Sequence, residues 1–150
     1  MKKTILHHND YMISNEPFSE QGIVWIYKKI GENRYSAASK YSAASKYNVV
    51  EKVTRPIEIK GVSGFGMSMD IYKDTLYITD PFFPDYKGSI FSFSLSTFQL
   101  KCIYQHDILL ETIGHSLLVS EKDEQIQFET KGFNRKTLES FMLVKGLKVL

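Results

Sequence analysis

Two stretches of this chain, about 65 residues apart, carry the same order of apolar, turn and glycine positions. Asp10 to Lys29 reads DYMISNEPFSEQGIVWIYKK, and Thr75 to Ser96 reads TLYITDPFFPDYKGSIFSFSLS. Set side by side, Ile13 falls on Ile78, Ser14 on Thr79, Asn15 on Asp80 and Phe18 on Phe83. After a one-residue gap Gly22 falls on Gly88, Trp25 on Phe91 and Tyr27 on Phe93. Repeats of this length are supersecondary units that hide their apolar faces against one another, so the chain is restricted to stacked architectures. A third, weaker echo runs from His115 to Lys131. There Leu117 and Val119 take the places of Leu76 and Ile78, and no glycine precedes the second strand.

Each unit reads as a run of short strands. In the middle one, Met67–Tyr72 and Thr75–Thr79 are two strands joined by a tight Lys73-Asp74 turn. Ser89–Leu95 is a third, with Phe91, Phe93 and Leu95 on one face and Ser92 and Ser94 on the other. Side chains alternate across a strand, so this pattern suits a half-buried sheet. Phe98–Gln105 is a fourth, and Pro81, Pro84, Asp85 and Gly88 punctuate the loop between the second and third. Nine Tyr and ten Phe among Ile, Val and Thr point the same way, and no helical period runs through a full window. The fold class is all-β, a single domain of about three antiparallel propeller-type blades over residues 3-58, 62-105 and 107-145. A β-sandwich with the same strands in another order is the alternative. The word YSAASK, written twice over 35-46, reads as a duplication in an exposed hairpin where the first unit's third strand turns toward YNVVEKV.

The Phe65-Gly66 pair, followed by MSMDIYKDTLYITDP and GSIFSFSL, resembles an FG-GAP repeat, the blade of integrin α-chain propellers and many bacterial proteins. The resemblance is best over residues 64-96, where Thr79-Asp80-Pro81 stand at the Gly-Ala-Pro position and keep its proline. It implies a β-propeller with an interaction role. Two departures limit it. The loop between Asp70 and Asp74 holds only Ile-Tyr-Lys, too few oxygens for the calcium that integrin-type blades carry, so Asp70 and Asp74 read as turn and surface residues. Propellers also need four to eight blades, so three make an incomplete ring, or one completed by another copy or a longer chain.

The residues form no recognisable catalytic constellation. A net charge of +2, with no basic stretch interleaved with aromatics, argues against nucleic acid as a partner. The apolar part of MKKTILHHND is too short for a signal peptide, and no run could span a bilayer; no membrane and a cytoplasmic location are the expectations. Cys102 alternates with Leu100 and Tyr104 and reads as a small buried hydrophobe. His7-His8, His106 and His115 have no ligand spacing and read as surface histidines, so no metal and no cofactor are expected. No GxSxG elbow occurs, and GVSGFG lacks the lysine of a phosphate loop. The carboxylates Asp80 and Asp85, or Glu121, Asp123 and Glu124, give no reason to choose an acid–base pair and read as charged loops. One segment stands out as a possible interaction loop: PFFPDYKG, with Phe82, Phe83, Asp85 and Tyr86. Against that, Phe82 or Phe83 could fold back between blades, and this is the stronger of the two readings. The expectation is a non-catalytic module that binds a protein or associates with itself; a hydrolase with a loop-built site is the alternative.

Overall fold

The computed structural model describes residues 5–17, 22–29, 47–56 and 63–149; Phe18, Gly61-Val62 and the doubled YSAASK word lie outside the described residues. The chain is all-β, with three antiparallel sheets, none closed, and no helix among the described residues. No helix there is long and apolar enough to cross a membrane. The first sheet runs in order through β1 (Ile5–His8), β2 (Tyr11–Glu16), β3 (Ile23–Lys29) and β4 (Tyr47–Thr54). The second runs through β5 (Met69–Tyr72), β6 (Thr75–Asp80), β7 (Ser89–Ser94) and β8 (Leu100–Gln105). In the third, β9 (Glu111–Ile113) and β10 (Leu118–Lys122) both pair with β11 (Gln125–Asn134), and β12 (Ser140–Lys145) lies on the other side of β11. The final strand, β13 (Lys148–Val149), leaves the third sheet and pairs with β8.

The turns follow from local chemistry. Lys73-Asp74 and Asp123-Glu124 close their hairpins with both residues at positive φ, which matches the right-handed twist of the strands they join. The middle sheet is covered on both sides, and every residue of β6 is buried. One face sets Leu76, Ile78, Phe91 and Phe93 against Ile13, Val24, Ile26 and Val53 of the first sheet, with Phe65 wedged between. Phe65 meets Phe91 and Phe93 edge-on at 5.3 and 6.2 Å. The other face sets Tyr77 and Ile90 against Val119 and Phe128 of the third sheet. Each buried side chain of this size contributes roughly 1.5–3 kcal/mol, so these two layers supply most of the cohesion.

The same junction ties both pairs of sheets. A Cβ on Gly22 would lie 2.2 Å from the Phe65 carbonyl oxygen, and one on Gly88 would lie 2.4 Å from that of Ile113. Asn15 Nδ2 donates to the Gly66 carbonyl at 2.6 Å, and Thr79 Oγ1 donates to the Gly114 carbonyl at 2.7 Å. Phe65-Gly66 and Ile113-Gly114 are therefore equivalent, and both glycines sit at positive φ. This shifts the alignment expected from sequence. The residue after each strand-leading glycine pairs with Glu16 in one sheet and Asp80 in the other, so Asn15 matches Thr79 and Ile13 matches Tyr77. Ile13 and Ile78 instead meet across the first interface, each fully buried. The five residues between Glu16 and Gly22 become seven between Asp80 and Gly88, not six. The third echo shifts as well, because Val119 lies on β10 with Leu117 just before it, and Ile126 and Phe128 on β11 stand where Leu76 and Ile78 do. Finally, a bulge at Lys101 breaks the expected alternation of β8: Cys102 faces Ser92, Leu100 faces Phe93, and Cys102 is only half-buried.

Gly88→Ala adds both a left-handed conformation and the overlap with Ile113, so it should cost more than about 3 kcal/mol. Gly66→Ala, whose Cβ would meet nothing closer than 3.5 Å, should cost only about 1 kcal/mol for its φ. Urea unfolding of both variants checks the ordering.

Candidate functional site

Asp80 ends β6 and is fully buried, so it is neither a loop carboxylate nor half of an exposed acid–base pair. Its Oδ1 accepts from the Gly64 and Phe82 amides at 2.9 and 3.0 Å. Its Oδ2 accepts from Arg55 Nη1 and Ser63 Oγ at 3.2 and 3.3 Å. A buried carboxylate is tolerated only with such partners, and here they pin the Phe65 segment and the root of the PFFPDYKG loop to one atom group. Asp70 likewise departs from its turn-and-surface reading, since its Oδ2 accepts from the Val119 amide at 2.7 Å and joins the second sheet to the third. Asp74 is exposed, as expected.

The structure splits the four singled-out loop residues. Phe83 is in the first core, tilted against Phe91 at 5.8 Å, and cannot anchor a partner from there. Phe82 is half-buried and meets Tyr86 edge-on at 5.9 Å. Asp85 and Tyr86 turn outward at positive φ, with Tyr86 48% exposed. Around them the chain gathers apolar side chains that the sequence reading missed. The link from β8 to β9 carries exposed Ile108, Leu109 and Leu110, Leu109 at 78%. Thr112 Oγ1 donates to the Tyr86 carbonyl, and Lys87 Nζ meets Asp107 at 2.6 Å, so this link is fastened to the loop. The β11–β12 turn adds Leu138, 75% exposed, and is joined to the same link by the Arg135 amide on the Leu110 carbonyl. Three consecutive apolar residues in ILL would ordinarily be read as buried; only their place in a connection between sheets could have signalled otherwise.

The opposite end holds a cleft of about 420 Å³ between the first and second sheets. His8 Nε2 meets Asp74 Oδ1 at 3.0 Å on its rim, and Lys101 Nζ donates to Thr75 Oγ1 at 3.0 Å. Its serines, Ser94 and Ser96, bond each other at 2.8 Å, and neither bonds His8 among the described residues. Nearby, Lys73 Nζ and the Tyr72 hydroxyl both bond Glu121 Oε2 at 3.0 Å and hold its carboxyl below the usual carboxylate range. Among the described residues no group of three or more His, Cys, Asp or Glu could hold a metal ion.

Two histidines are not surface residues. His106 is 1% exposed, with Nε2 3.2 Å from Glu111 Oε1 and Nδ1 without a partner among the described residues. His115 is half-buried against Phe133, with Nε2 likewise unpartnered there. Burial holds both below the ordinary imidazole value of 6.5; for His106 the Glu111 carboxylate pulls upward without prevailing, and for His115 Lys131 adds to the depression. Compared with protein-family models, curated proteins and solved structures, the chain matches none.

The unfolded chain binds protons at these two imidazoles at a higher pH than the native state does. Their contribution is therefore whole above pH 6.5 and lost as pH falls toward the folded values. Urea midpoints should drop between about pH 7 and 5, and the double variant His106→Gln, His115→Gln should flatten that slope even if it lowers the midpoint throughout.

Proposed function

We propose that this chain is a non-catalytic interaction module of the propeller type, whose loop end receives a protein partner. The observation that carries the reading is the concentration of exposed apolar side chains at that one end: Tyr86, Ile108, Leu109, Leu110 and Leu138. Exposed apolar side chains gathered on neighbouring segments in this way are typical of interaction sites. Tyr86 is an anchor type enriched at interface centres, and Phe82 braces it from beneath. The rigid attachments of the loop, through Asp80 and Thr112, would limit the ordering cost of binding.

A propeller-type stack, rather than a sandwich, is supported by the repeated glycine junction and by the position of β5, whose neighbours are β1 on one side and β10 on the other. First strands would meet in this way around a common axis. The likeness of residues 64-96 to an FG-GAP blade agrees with that arrangement, and three blades would be part of a ring. The hydrolase reading would place its chemistry in the cleft beside His8 and Asp74.

A photo-crosslinking residue placed at Leu109 should capture a discrete protein in cells, and Tyr86→Asp should abolish the capture while leaving the unfolding free energy within about 0.5 kcal/mol of the parent. Absence of any discrete adduct would count against the module. Turnover of ester, phosphate or glycoside substrates that Asp74→Ala or His8→Ala removes would replace it with the hydrolase.

A further inference from the structure

The three sheets differ in one topological slot. Beside the third strand of the first sheet lies β4, and beside that of the second lies β8. Beside β12 no described strand lies. The segment that follows β12 does not fill the slot: after Lys145 it crosses Gly146, packs Leu147 into the second core, and adds β13 to the edge of β8. Among the described residues β12 is thus the terminal strand of its sheet, six residues long, without proline or bulge. Such an edge is a template for another strand.

The ladder defines which groups point outward. Asn134 N donates to the Glu139 carbonyl at 2.9 Å, and the pairing continues in register through Gly132 with Phe141 and Thr130 with Leu143. In an antiparallel pair the bonded residues alternate, so the N–H and C=O of Ser140, Met142 and Val144 point away from β11. Met142 and Val144 are 56% and 58% exposed.

The geometry points to a second copy of this chain as the occupant, its β12 pairing antiparallel with the first about a two-fold axis through Met142. This rests on the interaction-module reading but uses the backbone edge of β12 rather than the exposed side chains of the Leu109 end. In that register Met142 faces Met142, and Ser140 faces Val144 at both ends, so all the outward backbone groups are paired. Phe141 then lies beside Leu143, and Glu139 lies opposite Lys145 twice. The edge is self-complementary in hydrogen bonding, apolar contact and charge at once. A shift of the axis by one residue, to Leu143, sets Phe141 against Lys145 and leaves Glu139 unpaired. The product is one continuous sheet across two protomers, with an isologous interface.

Sedimentation of the full chain over a range of micromolar concentrations tests this. The parent should approach twice the monomer mass. Glu139→Lys and Lys145→Glu each place like charges opposite one another at both ends, and each should weaken self-association about tenfold. The double variant, and an equimolar mixture of the two single variants, should recover it. A parent that stays monomeric throughout, leaving the edge to a strand of another protein, overturns the proposal, as does a dimer indifferent to both reversals. Neither result bears on capture through Leu109, which is read separately.

Discussion

Everything in this structure depends on how closely one sheet's backbone approaches the next. At Gly22 and again at Gly88 a Cβ would lie 2.2 and 2.4 Å from a neighbouring carbonyl oxygen, well inside van der Waals contact, so any side chain there would have to displace a backbone. That approach brings Asn15 and Thr79 within reach of the Gly66 and Gly114 carbonyls. It also fixes the separation across which the aromatic layer packs. Phe65 fills the first interface because the Phe65-Gly66 segment is gripped from the first sheet by Gly22 and Asn15, and from the second by the Asp80 carboxylate.

A sheet held this way on both sides has unusual polar accounting. Asp80, Thr79, Ser89 and Ser92 are all buried in the middle sheet, and each finds a main-chain partner nearby. Asp80 is the extreme case: a charge removed from water is tolerable only because an arginine, a hydroxyl and two amides surround it. The consequence reaches the surface. Since Phe82 hangs from Asp80 and Phe83 from the core, the adjoining Asp85-Tyr86 turn is presented outward on a stiff base rather than as a free loop.

The third sheet lacks what the other two possess. Among the described residues it has no fourth strand beside β12, and its outward face carries Leu118, Met142 and Val144 in the open. Its glycine, Gly132, is spent within the sheet, where a Cβ would meet the Thr112 carbonyl, and so does not repeat the junction made by Gly22 and Gly88. Among the described residues the stacking device thus occurs at two interfaces, and the third sheet presents the edge of β12. The associations proposed for that edge and for the Tyr86–Leu109 end would involve different groups: backbone amides in one, exposed side chains in the other.

The strands, the Lys73-Asp74 turn, the strand-leading glycines and the all-β class were readable from residue order alone, because alternation, turn preference and glycine's freedom act over a few neighbours. The phase of the repeat was not. A one-residue slip moves every side chain to the other face, and in a sheet buried on both sides either face is apolar, so Ile13 matches Ile78 as plausibly as Tyr77. Ile113-Gly114 does not read as a second Phe65-Gly66 for a related reason: the junction needs the glycine and a carbonyl, and says little about the side chain before them. Of the loop, Tyr86 and Asp85 were legible as exposed turn residues, while the burial of Phe83 and the exposure of Leu109 were settled only when distant segments came together. The same holds for Asp80 and His106, whose surroundings come from Arg55, Ser63 and Glu111 across connections between strands. Short-range geometry chooses the elements; which of them a side chain finally faces is decided by packing between sheets far apart along the chain.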